Sequence, residues 1–222
     1  ATWQSKKARD LFKMLLSRRP ARLSRDQMIE ALWPDEPIAK SQRKFSVALS
    51  TARSVLDPDK REVGDHYIVA DQSSVGLRVE NLRLDVEEFL AGSEEAEQLL
   101  RSGDTARAAQ EMERSAAIYR GQFLEEDLYE DWSIAMREQC RLRFVDLSRN
   151  LARLYRADGD IDRATSQWLR IIERDPYDEE AHLSVVELLS AKRRHGEARR
   201  AYRRYAAQMA ELGIEAAAFP AE

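Results

Sequence analysis

Cysteine is almost missing from this chain: Cys140 is the single thiol in 222 residues. One cysteine excludes an internal disulfide, so a reducing, cytoplasmic setting is expected, with Cys140 as a small buried apolar group. Glycine is scarce, at 8 residues, and none is spaced as a phosphate-cradling loop, so nucleotide hydrolysis is not expected. His66, His182 and His195 stand apart without metal-ligand spacing, which leaves no metal and no cofactor to expect. No apolar run approaches the roughly 20 residues that cross a bilayer, and no signal peptide opens the chain, so no membrane partner is expected. No cap or strand precedes Trp3, as in a piece of a longer protein. The densest acidic cluster, Glu125, Glu126, Asp127, Glu130 and Asp131, reads as a solvated loop before a helix, or alternatively as a contact for a basic partner. Acid–base catalysis by such carboxylates needs a pocket for which the sequence has no motif, and the chain reads as a non-enzyme.

Charge, in contrast, is abundant. With 34% charged and 43% hydrophobic residues the composition is that of a helical globular protein, long enough to bury a core in one or two domains. The net charge of −4 conceals a division, because residues 1–84 hold 16 Lys and Arg against 11 Asp and Glu, whereas residues 85–222 hold 20 against 29. A basic front and an acidic back direct a polyanion to the front alone.

The front carries the pattern. Ala8, Leu11, Phe12, Leu15 and Leu16 recur at helical spacing and predict a helix over about 5–18, closed by Arg18-Arg19-Pro20. Ser24-Arg25-Asp26-Gln27 predicts a capping box opening a second helix to Trp33, which Pro34 and Pro37 terminate. A third helix runs to Leu56, before Pro58. Phe45, Ala48, Leu49, Ala52 and Leu56 form its buried stripe. The opposite face carries Lys40, Arg43, Lys44, Ser46, Val47, Ser50, Thr51 and Ser54, cationic at its start and then small and polar, a face able to enter a DNA major groove. Lys6, Lys7, Arg18, Arg19, Arg22 and Arg25 crowd two helix ends, either as solvated surface or as phosphate contacts. The β-rich runs 66–70 and 75–79, joined by Asp71-Gln72-Ser73-Ser74, predict a hairpin. Three helices followed by a hairpin is the order of a winged helix-turn-helix, with the hairpin as wing.

From Asp85 onward every segment reads as helix, broken at Gly103, Gly121, Gly159 and Gly196. Gly159, Ala164, Trp168 and Pro176 have the spacing of a tetratricopeptide repeat; Gly196, Ala201 and Tyr205 repeat its first three, and Gly103, Ala108 and Met112 do so more weakly. A long helix from about Trp132 to Arg156 brings Leu147, Leu151, Leu154 and Tyr155 to the same core, where Trp132, Trp168, Tyr202 and Tyr205 are expected as packing residues.

The runs Lys7-Ala8-Arg9-Asp10-Leu11, Leu23 to Pro34 and Phe45 to Arg53 resemble the response-regulator-type winged helix of the Streptomyces antibiotic regulatory proteins. Leu84 to Phe89, Tyr119 to Leu124, Asp131-Trp132 and Asp175 to Glu179 resemble the bacterial transcriptional activator domain that follows it in that family. The resemblance implies sequence-specific binding of double-stranded DNA and activation through contact with RNA polymerase. Members usually carry a small sheet ahead of the first helix, which is not expected here, and many have arginine where Ser46 and Thr51 stand. Val75 to Val79 also resembles larger regulators that bear further modules.

Together these readings predict a mostly α chain: a winged helix-turn-helix over 1–83 without its N-terminal sheet, then an all-helical repeat domain over 84–222. Lys40, Arg43, Lys44, Ser46, Val47, Ser50 and Thr51 are expected to face base edges, with Arg22, Arg25, Arg53, His66 and Arg78 on the backbone. Arg53 has the alternative of pairing with an acid of its own domain, and His66 that of an exposed strand histidine. RNA polymerase or another protein is the expected partner of the helical part. The rival reading is an interaction scaffold whose winged helix no longer binds DNA. Oligomeric state and effector are not legible in the sequence.

Overall fold

A computed structural model of the chain describes residues 3–62 and 65–220. Its elements are α1 (Lys6–Arg18), β1 (Leu23–Ser24), α2 (Arg25–Leu32), α3 (Ile38–Leu56), β2 (Ile68–Ala70), β3 (Ser74–Leu77), α4 (Asp85–Arg101), α5 (Thr105–Ile118), α6 (Asp131–Ala157), α7 (Ile161–Arg174), α8 (Glu179–Ala191) and α9 (His195–Glu211). The chain is mostly helical. No described helix is long and apolar enough to cross a membrane. Two compact units are distinguished: one runs to Asp85 and takes in Gly121–Glu138, the other comprises Val86–Arg120 and the chain from Gln139 onward.

In the first unit, α1 begins where Ser5 accepts a hydrogen bond from the Ala8 N–H at 3.3 Å. Ala8, Leu11, Leu15, Met28, Phe45, Ala52, Ile68 and Val75 are fully buried, and this core removes the apolar stripes of α1, α2 and α3 from water. Leu56, at the end of the α3 stripe, is only partly buried against it. Trp132 packs on this same core, so it does not join the repeat helices as its position in the long helix suggests. It was drawn here because Gly121–Glu138 folds with the first unit.

The hairpin forms, but it is shorter than its β-rich runs and has a third partner. β3 pairs antiparallel with β2 on one side and with β1 on the other, in the order β1-β3-β2. Leu23 stands opposite Val75 and Ser24 opposite Ser74. This strand corrects the expected capping box, for Ser24 occupies the N-cap position of α2 without a side-chain capping bond. The sheet supplies the restraint instead, with the Arg25 N–H donating to the Ser73 carbonyl at 2.9 Å. A Cβ on Gly76 would lie 2.8 Å from Arg22 Cγ, so the segment entering β1 needs glycine opposite it. Asp71 shapes the β2–β3 turn: its Oδ1 accepts from the backbone N–H groups of Ser73 and Ser74 at 2.8 and 2.7 Å. Those bonds, the Ser73 N–H foremost, hold its carboxyl well below the usual range.

The second unit is built on helical hairpins that share one turn. Between α4 and α5, α6 and α7, and α8 and α9, one residue adopts a left-handed conformation: Gly103, Gly159 and Arg193. In each turn the next residue's N–H (Asp104, Asp160, Arg194) reaches back to a carbonyl five residues earlier (Leu99, Tyr155, Leu189) at 3.0, 2.8 and 2.9 Å. This is the Schellman closure, which satisfies carbonyls that a helix end leaves free. Five residues after each left-handed position stands a fully buried alanine, Ala108, Ala164 or Ala198. The third repeat is therefore in a different register from the one its glycine suggests. Gly196 lies inside α9, Ala201 is only half-buried, and Arg193 occupies the turn. The interval from Gly159 to Arg193 is 34 residues, the tetratricopeptide period.

Candidate nucleic-acid interface

α3 turns Phe45, Ala48, Leu49 and Ala52 into the core and leaves Lys40, Arg43, Ser46, Val47, Ser50 and Ser54 exposed, with Lys44 and Thr51 half-buried. The helix thus has the two faces its pattern predicts. The chemistry of the outer face differs from its composition. Glu36 pairs with Lys40 at 3.2 Å and with Lys44. The Lys44 hydrogen bond, ahead of other causes, lowers the Glu36 carboxyl from its ordinary value. Two of the three cations are therefore matched by an acid in the α2–α3 turn. Arg43 is exposed and has no ion pair among the described residues. The hydroxyls of Ser46, Thr51 and Ser54 donate to the carbonyls of Gln42, Val47 and Ser50, at 3.0, 2.9 and 3.1 Å. Such back-bonding within a helix turns the polar end of the side chain inward. Val47 stays 66% exposed among them.

The residues expected on the backbone are placed differently. Arg25 stacks over Phe45 at 5.1 Å and donates to the Asp71 carbonyl at 2.9 Å. Arg22 pairs with the Asp71 carboxylate at 2.8 Å. Both therefore sit at the β2–β3 turn, beside α2 and α3. Arg53 pairs with Asp65 and donates to the Ile68 carbonyl at 3.0 Å, which is its intramolecular alternative. Arg78 donates to the Asp65 carbonyl at 3.0 Å, and His66 lies 3.3 Å from Glu62, ahead of β2. Arg19 is buried beneath Phe123, 5.9 Å from its ring centroid, whereas Lys6, Arg18 and Arg22 are exposed.

Two features escaped the sequence reading. Gln42 and Gln72 join Arg25, Asp26, Ile29 and Ser46 around a hollow between α2, α3 and the β2–β3 turn; the i, i+4 spacing of Gln42 and Ser46 was the only local sign. Glu36 shares its single carboxylate between two lysines at the start of the face, and its spacing of four and eight residues before Lys40 and Lys44 was visible in the sequence.

The acidic cluster divides. Glu125, Glu130 and Asp131 are exposed, as a solvated loop requires. Asp127, with its side chain 12% exposed, and Glu126 instead clasp the buried Lys13 of α1, Glu126 at 2.7 Å. Arg137 fastens the same loop by donating to the carbonyls of Phe123, Asp127 and Leu128 at 3.1, 3.0 and 3.1 Å.

Residues 84–219 match the family model described as the bacterial transcriptional activator domain. Among solved structures, Mycobacterium tuberculosis EmbR in complex with a low affinity phosphopeptide superposes with a TM-score of 0.80 at 18% identity. The match covers 98% of this chain and 57% of that one, so the chain spans little more than half of that protein's length. At this identity the likeness is one of fold. No curated protein matches the chain.

Proposed function

From the premise that this chain belongs to the bacterial transcriptional activator domain family, we propose that it is a sequence-specific DNA-binding transcription regulator. The first unit is a winged helix-turn-helix in which α2 and α3 are the angled pair and β2–β3 the wing. α3 enters the major groove with Arg43, Ser46, Val47 and Ser50 towards base edges, and Lys40, Lys44 and Thr51 flank them. Arg22 and Arg25, at the wing turn, lie against phosphates and set register. Arg53, Arg78 and His66 serve mainly to hold the hairpin. The second unit contacts RNA polymerase or another protein, and the chain turns over no nucleotide.

The observation that carries this reading is the outward face of α3, on which Lys40, Arg43, Ser46, Val47 and Ser50 are exposed and Arg43 has no ion pair among the described residues. An arginine bonded to guanine at two points contributes about 1–3 kcal/mol of discrimination. Phosphate neutralisation makes affinity fall steeply with salt. The test is a selection of bound duplexes from a random pool, followed by shift assays with Arg43→Ala. The variant is expected to lose affinity for the selected site far more than for random duplex. Equal losses would show that Arg43 touches only backbone.

The matching of Lys40 and Lys44 by Glu36 favours a second reading, a protein-interaction scaffold whose winged helix has lost DNA binding. A scaffold would give no saturable, sequence-dependent complex at either of two salt concentrations.

A further inference from the structure

Resting on the DNA-binding reading, we propose that Val47 is a specificity-determining residue that selects thymine through its 5-methyl group, within two base pairs of the guanine read by Arg43. The outer face of α3 is poorer in hydrogen-bonding groups than its sequence implies. Ser46 and Thr51 spend their hydroxyl protons on the carbonyls of Gln42 and Val47, and Glu36 holds Lys40 and Lys44. At the centre of the helix the Arg43 guanidinium, the Ser50 hydroxyl and one branched apolar side chain face outward, and that apolar side chain, Val47, is 66% exposed. An apolar group in the major groove has one complement there, the methyl group of thymine, which no other base carries.

The spacing sets where that thymine lies. Arg43 and Val47 are four residues apart and share one face of the helix. Four residues rise about 6 Å along the axis. Base pairs are stacked about 3.4 Å apart, so the two side chains meet pairs one or two steps from each other. Covering the methyl group removes roughly one methylene's worth of apolar surface from water, which corresponds to about a fourfold difference in affinity.

The experiment uses the full chain and its selected duplex, in which each thymine within two base pairs of the Arg43-dependent guanine is replaced in turn by deoxyuridine. Uracil keeps every hydrogen-bonding group of thymine and lacks only the methyl. One such replacement is expected to weaken binding by the wild-type chain about fourfold and to leave binding by Val47→Ala unchanged. Val47 is exposed, so this variant keeps the fold. A selective complex indifferent to every uracil replacement, or an equal penalty in Val47→Ala, overturns the inference and leaves the DNA-binding reading standing. Absence of any selective complex overturns both.

Discussion

Replacing Lys13 by methionine removes one charge and little volume, so it isolates what the ammonium does. The Lys13 side chain is 7% exposed and contacts Glu126 at 2.7 Å and Asp127. Methionine fills the space of the aliphatic stem but leaves Asp127 without its counter-charge. Nearby is Asp10, whose carboxyl burial raises above its ordinary value, with Asp127 a smaller contributor in the same direction. Breaking a buried ion pair from one side costs about 3–5 kcal/mol when both partners are enclosed. Glu126, at 63% exposure, returns to water, and its share is that of a surface pair, under about 1 kcal/mol. The first unit should therefore lose about 2–4 kcal/mol, a fall in melting temperature of roughly 10–25 °C for a unit near 100 residues. Trp3, Trp33 and Trp132 belong to that unit and Trp168 to the other, so tryptophan fluorescence during urea unfolding reports mainly on the first. The midpoint should fall with an unchanged slope. Removing both charges, in Lys13→Met with Asp127→Asn, should recover a substantial part of the loss. A change below about 1 kcal/mol would refute the reasoning, since it would equate Lys13 with a surface charge.

Asp10→Asn tests the neighbouring carboxyl. Because burial raises its folded value above the ordinary 3.8, folding is favoured while the group is protonated in both states, and that contribution is lost as pH rises through the folded value. The neutral amide should therefore be more stable than aspartate at pH 7, by a margin that shrinks on acidification; urea midpoints across pH read it, and a margin independent of pH would contradict it. Arg193 has a φ of 57°, and relieving it with Arg193→Gly should stabilise the second unit by about 1 kcal/mol, whereas Gly159→Ala at the equivalent turn should destabilise it by a comparable amount. Circular-dichroism melts of both variants check the pair. Arg53→Ala should weaken cognate and random duplex binding alike and lower the stability of the first unit, because Arg53 acts through Asp65 and the Ile68 carbonyl; a loss confined to the cognate site would place it on the bases instead.

What the amino-acid order alone determined was everything carried by a short period. The 3.6-residue recurrence of Ala8, Leu11 and Leu15 and of Phe45, Ala48 and Ala52 placed α1 and α3 and named their inward faces. The prolines around residues 34–37 set the break before α3, and the spacing of Gly103 and Gly159 ahead of Ala108 and Ala164 announced two of the helical turns. The outward face of α3 followed from the same arithmetic, since a residue opposite a buried stripe has nowhere else to point.

Tertiary structure decided what depends on partners far along the chain. Leu23–Ser24 becomes a strand only because Ser74 and Val75 arrive beside it, and that arrival also displaces the capping role written in Ser24. Lys13 looks like one more surface cation until Asp127, 114 residues later, closes over it. Arg193 shows that a left-handed turn can be imposed on a residue that does not favour it, because the Schellman bonds and the buried Ala198 offset its strain. The reason is common to all three: helical periodicity is written within a few residues, while strand pairing, ion burial and imposed backbone angles are set by whichever distant segment the fold brings into contact.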